Sequence, residues 1–571
     1  MKTKTLVVDV ETNGLRATML WCIVTYCLEE KEWRIFDVTN NEYLNEAREY
    51  LSSATHFVGH NFVKFDRHIL TQFLGIPLIP VAQITDTLIL SRLYNSGRVG
   101  GHSLERWGAY FHLPKVEFTD WERWDPRITF RCQRDVELTV RLLEHLRKEG
   151  KNCSELAVKT EHWFTGICDE IAQRGFPFDI DGAQREHMQL KAQLNDLQTQ
   201  IRKAFPRKAT NLGEVQPRLT KKGVPAANTK GFAVLGDMAP TTVLGPFSLI
   251  EWQDFNIKSP KQIVQRMNEW GWQPMEFTKP SESFPEGQPK VSVANLDTLP
   301  DTAPPEAKLI AKYLKLYTQA TLFEGWIDAY NPVTGRIHGD INSIGTITHR
   351  GSHNNPNMGN ITKGPHRKHW GFTSGDRRIA GVDAKGIQLR ILAHLTALFT
   401  KDRTFMEQVL TGDPHLQFTL PLVGELYPQA VAHEDPSTDE GKSLKKAKDK
   451  TKRFIYAWLL GAGSLKVGTI FGLGLREGKV ISETFVNKFP GLKELKAWLS
   501  GCAKKGWFPC PIGSFIPIKS DHYSLSVALQ GIEQAVMKLA AVMWTKKRNK
   551  EGWDAHIIAW VHDEFQIEGH K

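Results

Sequence analysis

A multidomain α/β fold is what the sequence predicts, on three observations. The chain opens on a buried strand, Leu6-Val-Val-Asp9-Val-Glu11, and its first 150 residues finish with an amphipathic helix in which Val136, Val140, Leu143 and Leu146 share a face. A second strand-to-helix unit lies downstream, where Arg378-Ile-Ala-Gly-Val-Asp383 leads into Lys385-Gly-Ile-Gln-Leu-Arg-Ile-Leu-Ala-His-Leu395. Between His556 and Glu568, two short β runs flank a tight His562-Asp563-Glu564 turn.

Taken in order, residues 1–150 form one α/β domain. From about Gly175 a helical pattern runs to Phe205, and the composition then shifts to Pro, Gly, Thr and Lys between Pro206 and Pro246. This stretch reads as a flexible, loop-like basic insertion bearing Arg207, Lys208, Arg218, Lys221, Lys222 and Lys230. Helical pattern returns from Glu306 to Tyr330, and a mixed, β-rich stretch leads to Asp383. Ile387, Ile391, Leu395 and Leu398 recur at helical spacing, so the helix after Asp383 has a buried face that holds the acid at its head. Helices dominate from about Phe405 to Lys505, and short strands close the chain.

Composition narrows the function classes. A chain of 571 residues with net charge +10 favours an acidic polymer as partner, a weak signal taken alone. The seven cysteines, Cys22, Cys27, Cys132, Cys153, Cys168, Cys502 and Cys510, include no Cys-x-x-Cys pair, so neither a disulfide framework nor a zinc site is indicated, and reduced thiols in a cytosol are expected. No uninterrupted apolar run approaches the roughly 18 residues of a membrane span, and Met1-Lys-Thr-Lys leads straight into a strand rather than a signal peptide. A cytoplasmic protein without a membrane partner is expected.

Two sets of acids carry the chemistry. Asp9 and Glu11 project to one side of their strand, because side chains alternate with period two. With 63 acids in the chain, an acid-x-acid triplet means little by itself. Its context adds Asp66, after Gly59-His60-Asn61-Phe-Val-Lys-Phe65, and Asp135, at the head of the amphipathic helix. Four such acids are what a pair of cations needs to hydrolyse a phosphodiester. The second set is Asp563 and Glu564 at the terminal turn, with Asp383 the acid that meets them on a cation.

Between these sets, Lys448, Lys452, Tyr456 and Leu460 stand four apart, one stripe of a helix. Two lysines ahead of an aromatic suit a triphosphate and a sugar or base. Seven of the twelve residues from Lys442 to Arg453 are basic, for which a solvated charged face is the alternative reading on composition alone.

The pattern Asp9-x-Glu11, His60-Asn61 with Asp66, then Asp135-Val136 resembles the 3′→5′ proofreading exonuclease of the DEDD superfamily, and Asp86-Thr-Leu-Ile-Leu-Ser-Arg92 fits the same domain. The rest resembles a family A DNA polymerase, closest to the replicative polymerases of short-tailed phages. Its first motif matches Val382-Asp383-Ala-Lys-Gly-Ile-Gln388-Leu-Arg390, its fingers helix matches Lys448 to Gly463, and its last motif matches Val561-His562-Asp563-Glu564. Thr348-His-Arg350 with Ser352 and Pro356-Asn357-Met358 resembles its template-primer segment. The resemblance implies an RNase H-like exonuclease domain over 1–150, then a right-hand polymerase. Connecting helix and thumb would span 151–335 with the insertion at 206–246, the palm 336–400 and 523–571, and the fingers 401–522.

It further implies template-directed DNA synthesis from dNTPs in phage replication. Asp383 and Asp563 would hold two Mg2+ ions, or Mn2+, with Glu564 and His562 supporting the metal shell and primer end. Lys448, Lys452, Tyr456 and Gln388 would meet the nucleotide. Arg350, Asn357 and Gln530 would meet primed template DNA. A processivity factor at the thumb insertion is the further partner the resemblance suggests, against a loop that touches DNA phosphates nonspecifically.

Some positions depart from the family pattern. Gln388 stands where Glu is usual, which removes a charge near the sugar 2′ position and raises a ribonucleotide-tolerant reading. Lys448 replaces Arg, Leu460 replaces a second Tyr, and Ser526 replaces Asn. Four residues before Asp135, Arg131 stands where a Tyr or His would orient water, so weakened proofreading is expected; either Arg131 clamps a phosphate instead, or a one-residue helix irregularity brings Phe130 near the site, where it cannot orient water by hydrogen bonding. The family usually continues past the last motif with a further strand and helix, whereas this sequence ends at Lys571. An incomplete palm is therefore expected, and with it an alternative: a DNA-binding nuclease or inactive fragment.

Overall fold

The computed structural model describes residues 3–114, 116–233, 239–281, 284–361, 364–371, 375–401, 403–411, 438–488 and 491–570. The chain divides into two compact units, Met1–Phe178 with Asn331–Lys571, and Asp179–Tyr330.

The first unit begins with a five-stranded mixed sheet. Strands β1 (Thr5–Thr12), β2 (Leu20–Cys27) and β3 (Glu32–Asp37) pair antiparallel, and β4 (His56–Gly59) and β5 (Ile84–Asp86) continue parallel to β1, in the order β3-β2-β1-β4-β5. Both faces are covered, which is why the strands read as apolar runs. On one side Leu6, Val8 and Val10 pack with residues of α1 (Tyr43–Ser52) and α2 (Asp66–Leu74). On the other, Val7, Cys22 and Val24 pack with Ile128, Cys132, Val136 and Leu143 of α3 (Pro126–Glu149), the amphipathic helix expected from its periodicity. Asp125 caps this helix, its side chain accepting from Arg127 N at 2.8 Å, and Pro126 occupies the first turn, where no N–H is needed.

Helix α4 (Glu155–Arg174) follows, and its buried Phe164 meets Trp560 edge-on at 4.4 Å between ring centroids. Ring packing thus joins the first 178 residues to the C-terminal strands.

The second unit is built on α5 (Ile180–Ala204) and α6 (Leu309–Asp328), which pack together. Here the loop expected between Pro206 and Pro246 is corrected. Lys208–Val215 forms a strand that pairs antiparallel with Phe247–Gln253. Phe247, Leu249, Ile250 and Trp252 give the partner strand its β character, and it lies just past the Pro- and Lys-rich stretch that hides the strand at Lys208.

Back in the first unit, β6 (Arg377–Asp383) leads into α7 (Ile387–Thr400). Ile387, Ile391 and Leu395 are buried as the spacing predicts, but Leu398 is 63% exposed, because the last turn of α7 runs beyond the core. Residues 412–437, within the stretch expected to be helical, lie outside the described residues. Helix α8 (Asp439–Leu459) precedes further helices at Ser464–Phe471, Leu475–Lys488 and Leu492–Lys505, and Phe454, Phe485, Leu492, Leu495 and Leu499 join one large core.

A second correction concerns the end of the chain. Short strands do not close it alone, because α9 (Ser524–Glu551) precedes them. Nearly every face of α9 near its N-terminal half is buried, so no single apolar stripe announces it. It is long and apolar enough by composition to cross a membrane, although polar residues break its apolar run, and 72% of its most apolar window is buried inside the protein. A buried core helix meets the same criterion. The chain then forms the expected hairpin of β7 (Ala555–Val561) and β8 (Glu564–His570), and β8 pairs with β6 in a sheet ordered β6-β8-β7.

Candidate active sites

Two acid centres emerge, both within the first unit. In the N-terminal one, β1 buries its neighbours and leaves Asp9 and Glu11 half-buried on one side. Helix α3 brings Asp135 to them, and ligand oxygens of Asp9, Glu11 and Asp135 lie within 4.8 Å of one another. Asp66, the first residue of α2, lines the same open cleft of about 960 Å³. Burial, with Asp86 and Glu11 nearby, pushes the Asp66 carboxyl up to about 8. Oxygen ligands converging on one point suit a hard divalent cation, and an acid held so far above its ordinary range gains from the positive charge.

Asp86 has a different role. Its carboxylate accepts from Asn61 N at 3.0 Å, Val63 N at 3.1 Å and Leu88 N at 2.9 Å. It therefore caps the helix Thr87–Tyr94 and pins the loop that delivers Asp66. Its own N–H donates to Nε2 of buried His162 at 3.0 Å, while the other ring nitrogen lies 2.8 Å from Val158 O. His60 is within 2.9 Å of Thr87 Oγ1, and Thr87 in turn donates to Gly59 O.

Arg131 does not stand free to clamp a phosphate. Its Nε donates to Glu11 Oε1 at 3.2 Å, another nitrogen donates to Val116 O at 2.7 Å, and its guanidinium lies 5.0 Å from the Trp121 ring centroid. Lys64, missed from the sequence, donates to Asp340 and to Ile341 O, and Arg92 donates to Asn342 Oδ1 at 3.1 Å. These contacts hold the rim of the cleft against the segment 340–342.

The second centre lies where β6, β8 and the hairpin turn meet. Asp383 pairs in register with Glu564, and Ala384 N donates to Asp563 O at 3.1 Å. The backbones carrying Asp383 and Asp563 are thereby adjacent although 180 residues apart. Val561 pairs directly with Glu564, so His562 and Asp563 form a two-residue loop, with His562 at φ 59°. Burial, then Glu533 and Asp383, raises the Asp563 carboxyl. Glu564 accepts from Gln566 and lies 4.0 Å from Arg367.

Helix α8 turns its stripe away from the core. Ala447, Thr451, Phe454, Ile455 and Leu459 are buried, whereas Lys452 is exposed and Lys448 and Tyr456 are half-buried. Leu460 follows the last helical residue and is exposed. Burial, then Asp563, Glu533 and Asp383, raises the Tyr456 phenol, so this ring sits within the field of these three acids.

One residue organises the centre and was not singled out from the sequence. Glu533, 1% exposed on α9, accepts from Arg350 at 2.7 Å through Oε1 and from Gln388 at 2.6 Å through Oε2. Gln534 donates to Glu533 Oε1 at 3.0 Å and to His562 O at 3.4 Å. The available signal was an acid between apolar residues Leu529, Ile532, Ala535 and Met537 of one helix, where burial demands a partner. The remaining expected contacts are local: Asn357 Oδ1 accepts from Gly359 N at 3.0 Å, and Gln530 donates to Ser526 Oγ at 3.0 Å.

A strand-borne acid beside a hairpin acid, with Tyr456 of the lysine-bearing helix α8 in the field of both, is the arrangement of a right-hand polymerase. That fold is shared with the polymerase domain of Pol1 from M. smegmatis, solved in complex with DNA primer-template and dNTP, at a TM-score of 0.72 and 16% identity, over 100% of this chain and 90% of that one. The chain belongs to DNA polymerase family A, whose model matches residues 246–571. It is similar to the DNA-directed DNA polymerases of Enterobacteria phage T3 and Escherichia phage T7, each 25% identical over 98% of this chain and 93% of the relative. DNA polymerase I of Helicobacter pylori (strain ATCC 700392 / 26695) is 24% identical over 99% of this chain and 57% of the relative.

Proposed function

We propose that this chain extends a DNA primer on a DNA template from dNTPs in phage replication, with an attached 3′→5′ exonuclease. The observation that carries the synthetic activity is the Asp383–Glu564 register, which sets two acids side by side, with Tyr456 of α8 in the field of Asp383 and Asp563, in a family A chain. Asp383 and Asp563 would hold Mg2+ or Mn2+, which would supply Lewis acidity to the primer hydroxyl and the triphosphate. Lys452 and Lys448 neutralise the triphosphate, Tyr456 and Gln388 meet its sugar, and the turn at His562 and Glu564 supports the primer end. Arg350, Asn357 and Gln530 contact the primed template. Among the second unit's basic residues, Arg218, Lys221, Lys222 and Lys230 are exposed and suit duplex phosphates. A processivity partner there rests on family likeness alone.

The exonuclease is supported by the three-acid cluster and Asp66 within a cleft wide enough for a frayed 3′ end. These acids would hold divalent cations, which would supply activation of water and stabilisation of the leaving oxygen. Arg131, engaged with Glu11, leaves water without the Tyr or His usual at that position, so degradation is slow. The test is extension of a labelled primer by the purified chain beside an Asp383→Ala control, with 3′ degradation of single-stranded DNA read in parallel. Extension that survives in the control would overturn the assignment of Asp383. Absent degradation alongside good synthesis would overturn the exonuclease.

A further inference from the structure

Gln388 carries an uncharged amide where family A chains usually carry a carboxylate, yet the structure holds an acid at its side. Glu533 reaches Gln388 from a different helix, with Nε2 to Oε2 at 2.6 Å. A carboxylate only accepts, so the NH2 end of Gln388 is committed to Glu533 and the amide cannot turn over without losing that bond. Arg350 closes the other side of the same carboxylate at 2.7 Å, with the Glu533 side chain 2% exposed. Glu533 therefore has little freedom, and it passes this rigidity to the half-buried Gln388. Through Gln534 the same cluster reaches the backbone of His562.

We propose that Glu533 is the positioning residue for sugar selection: its carboxylate locks Gln388 in one orientation, so that Gln388 meets the 2′ position of the incoming nucleotide as a fixed wall. The acid absent at 388 is thus present at 533, acting through the amide. This rests on the assignment of Gln388 to the nucleotide site made above. A mobile amide swings aside for a 2′-hydroxyl, whereas a locked one does not.

The test is the ratio of kcat/KM for a dNTP to that for the matching rNTP, measured by single-nucleotide primer extension with the full chain. Glu533→Gln permits either amide orientation, and the ratio is expected to fall about tenfold, the effect of losing one charge-assisted hydrogen bond. The exchanged pair Gln388→Glu/Glu533→Gln keeps one carboxylate and one amide in contact, and is expected to restore most of the ratio. An unchanged ratio in folded Glu533→Gln overturns the proposal. So does an exchanged pair that folds and extends but discriminates no better than Glu533→Gln. If the wild-type chain extends no primer, the polymerase reading fails and the proposal falls with it; extension with an unaffected ratio removes the proposal alone.

Discussion

Arg131 donates from Nε to Glu11 Oε1 at 3.2 Å, placing a guanidinium on one of the three carboxylates that converge in the N-terminal cleft. A cation already present competes with a metal for that carboxylate. Arg131→Ala should therefore bind Mn2+ at this centre more tightly, by about three- to tenfold, the equivalent of one modest charge interaction. Mn2+ titration by electron paramagnetic resonance, in an Asp383→Ala background, reads this directly. Unchanged affinity would mean that Arg131 moves off Glu11 at no cost.

Asp383→Ala should reduce primer extension by at least about a thousandfold, since it removes the carboxylate proposed to hold a metal at the transferring group. Degradation of single-stranded DNA should persist in the same preparation, because the N-terminal acids lie on other elements. Loss of both activities would point to misfolding, which a melting curve separates.

Lys452 is exposed on the face of α8 turned away from the core, so its removal costs little packing. Lys452→Ala should lower kcat/KM for dNTP about a hundredfold, the scale of one electrostatic stabiliser of developing charge. Primer-template affinity, measured by fluorescence anisotropy, should change far less.

Buried Lys538 donates to Glu161 Oε1 at 2.7 Å, with side-chain exposures of 0% and 2%. Glu161→Gln leaves an uncompensated buried charge and should destabilise the protein by about 3–5 kcal/mol, whereas Glu161→Leu/Lys538→Met should be near neutral. Urea denaturation of both variants compares them. A double variant as unstable as the single one would show that the pair does more than satisfy itself.

His349 is buried at φ 60°, and burial, with Lys538 nearby, pushes its pKa down to about 3. Unfolded, it titrates near 6.5, so between these values the unfolded chain binds more protons and acid favours unfolding. Its stabilising contribution is full above about pH 6.5 and declines as pH falls, by about 2 kcal/mol at pH 5. His349→Asn, which tolerates the left-handed backbone and does not titrate, should flatten the loss of stability between pH 7 and pH 5 by about that amount. Equal slopes in the two proteins would refute this.

Local pattern carried much of the fold to the page. The strand at Leu6, the stripe of the helix through Val136 and Leu143, and the hairpin around His562 each follow from spacing that a buried face imposes on nearby residues. The same spacing placed Lys452 and Tyr456 on one side of α8. Where burial is nearly uniform the pattern vanishes, so α9 went unread. Where β character hides among lysines and prolines, the strand at Lys208 passed for a loop.

The sequence by itself determined which residue types stand at each motif: acids at 9, 11, 66, 135, 383 and 563, lysines at 448 and 452, and an amide at 388. Only the tertiary structure decided which of them meet. Asp383 stands beside Asp563 because β6 and β8 pair in one register, and a slip of one residue would turn the acid to the opposite face. Arg131 rests on Glu11, and Glu533 gathers Arg350 and Gln388, through contacts between elements more than a hundred residues apart. Periodicity reports how one element faces the core. It says nothing of the partner that a long-range contact brings.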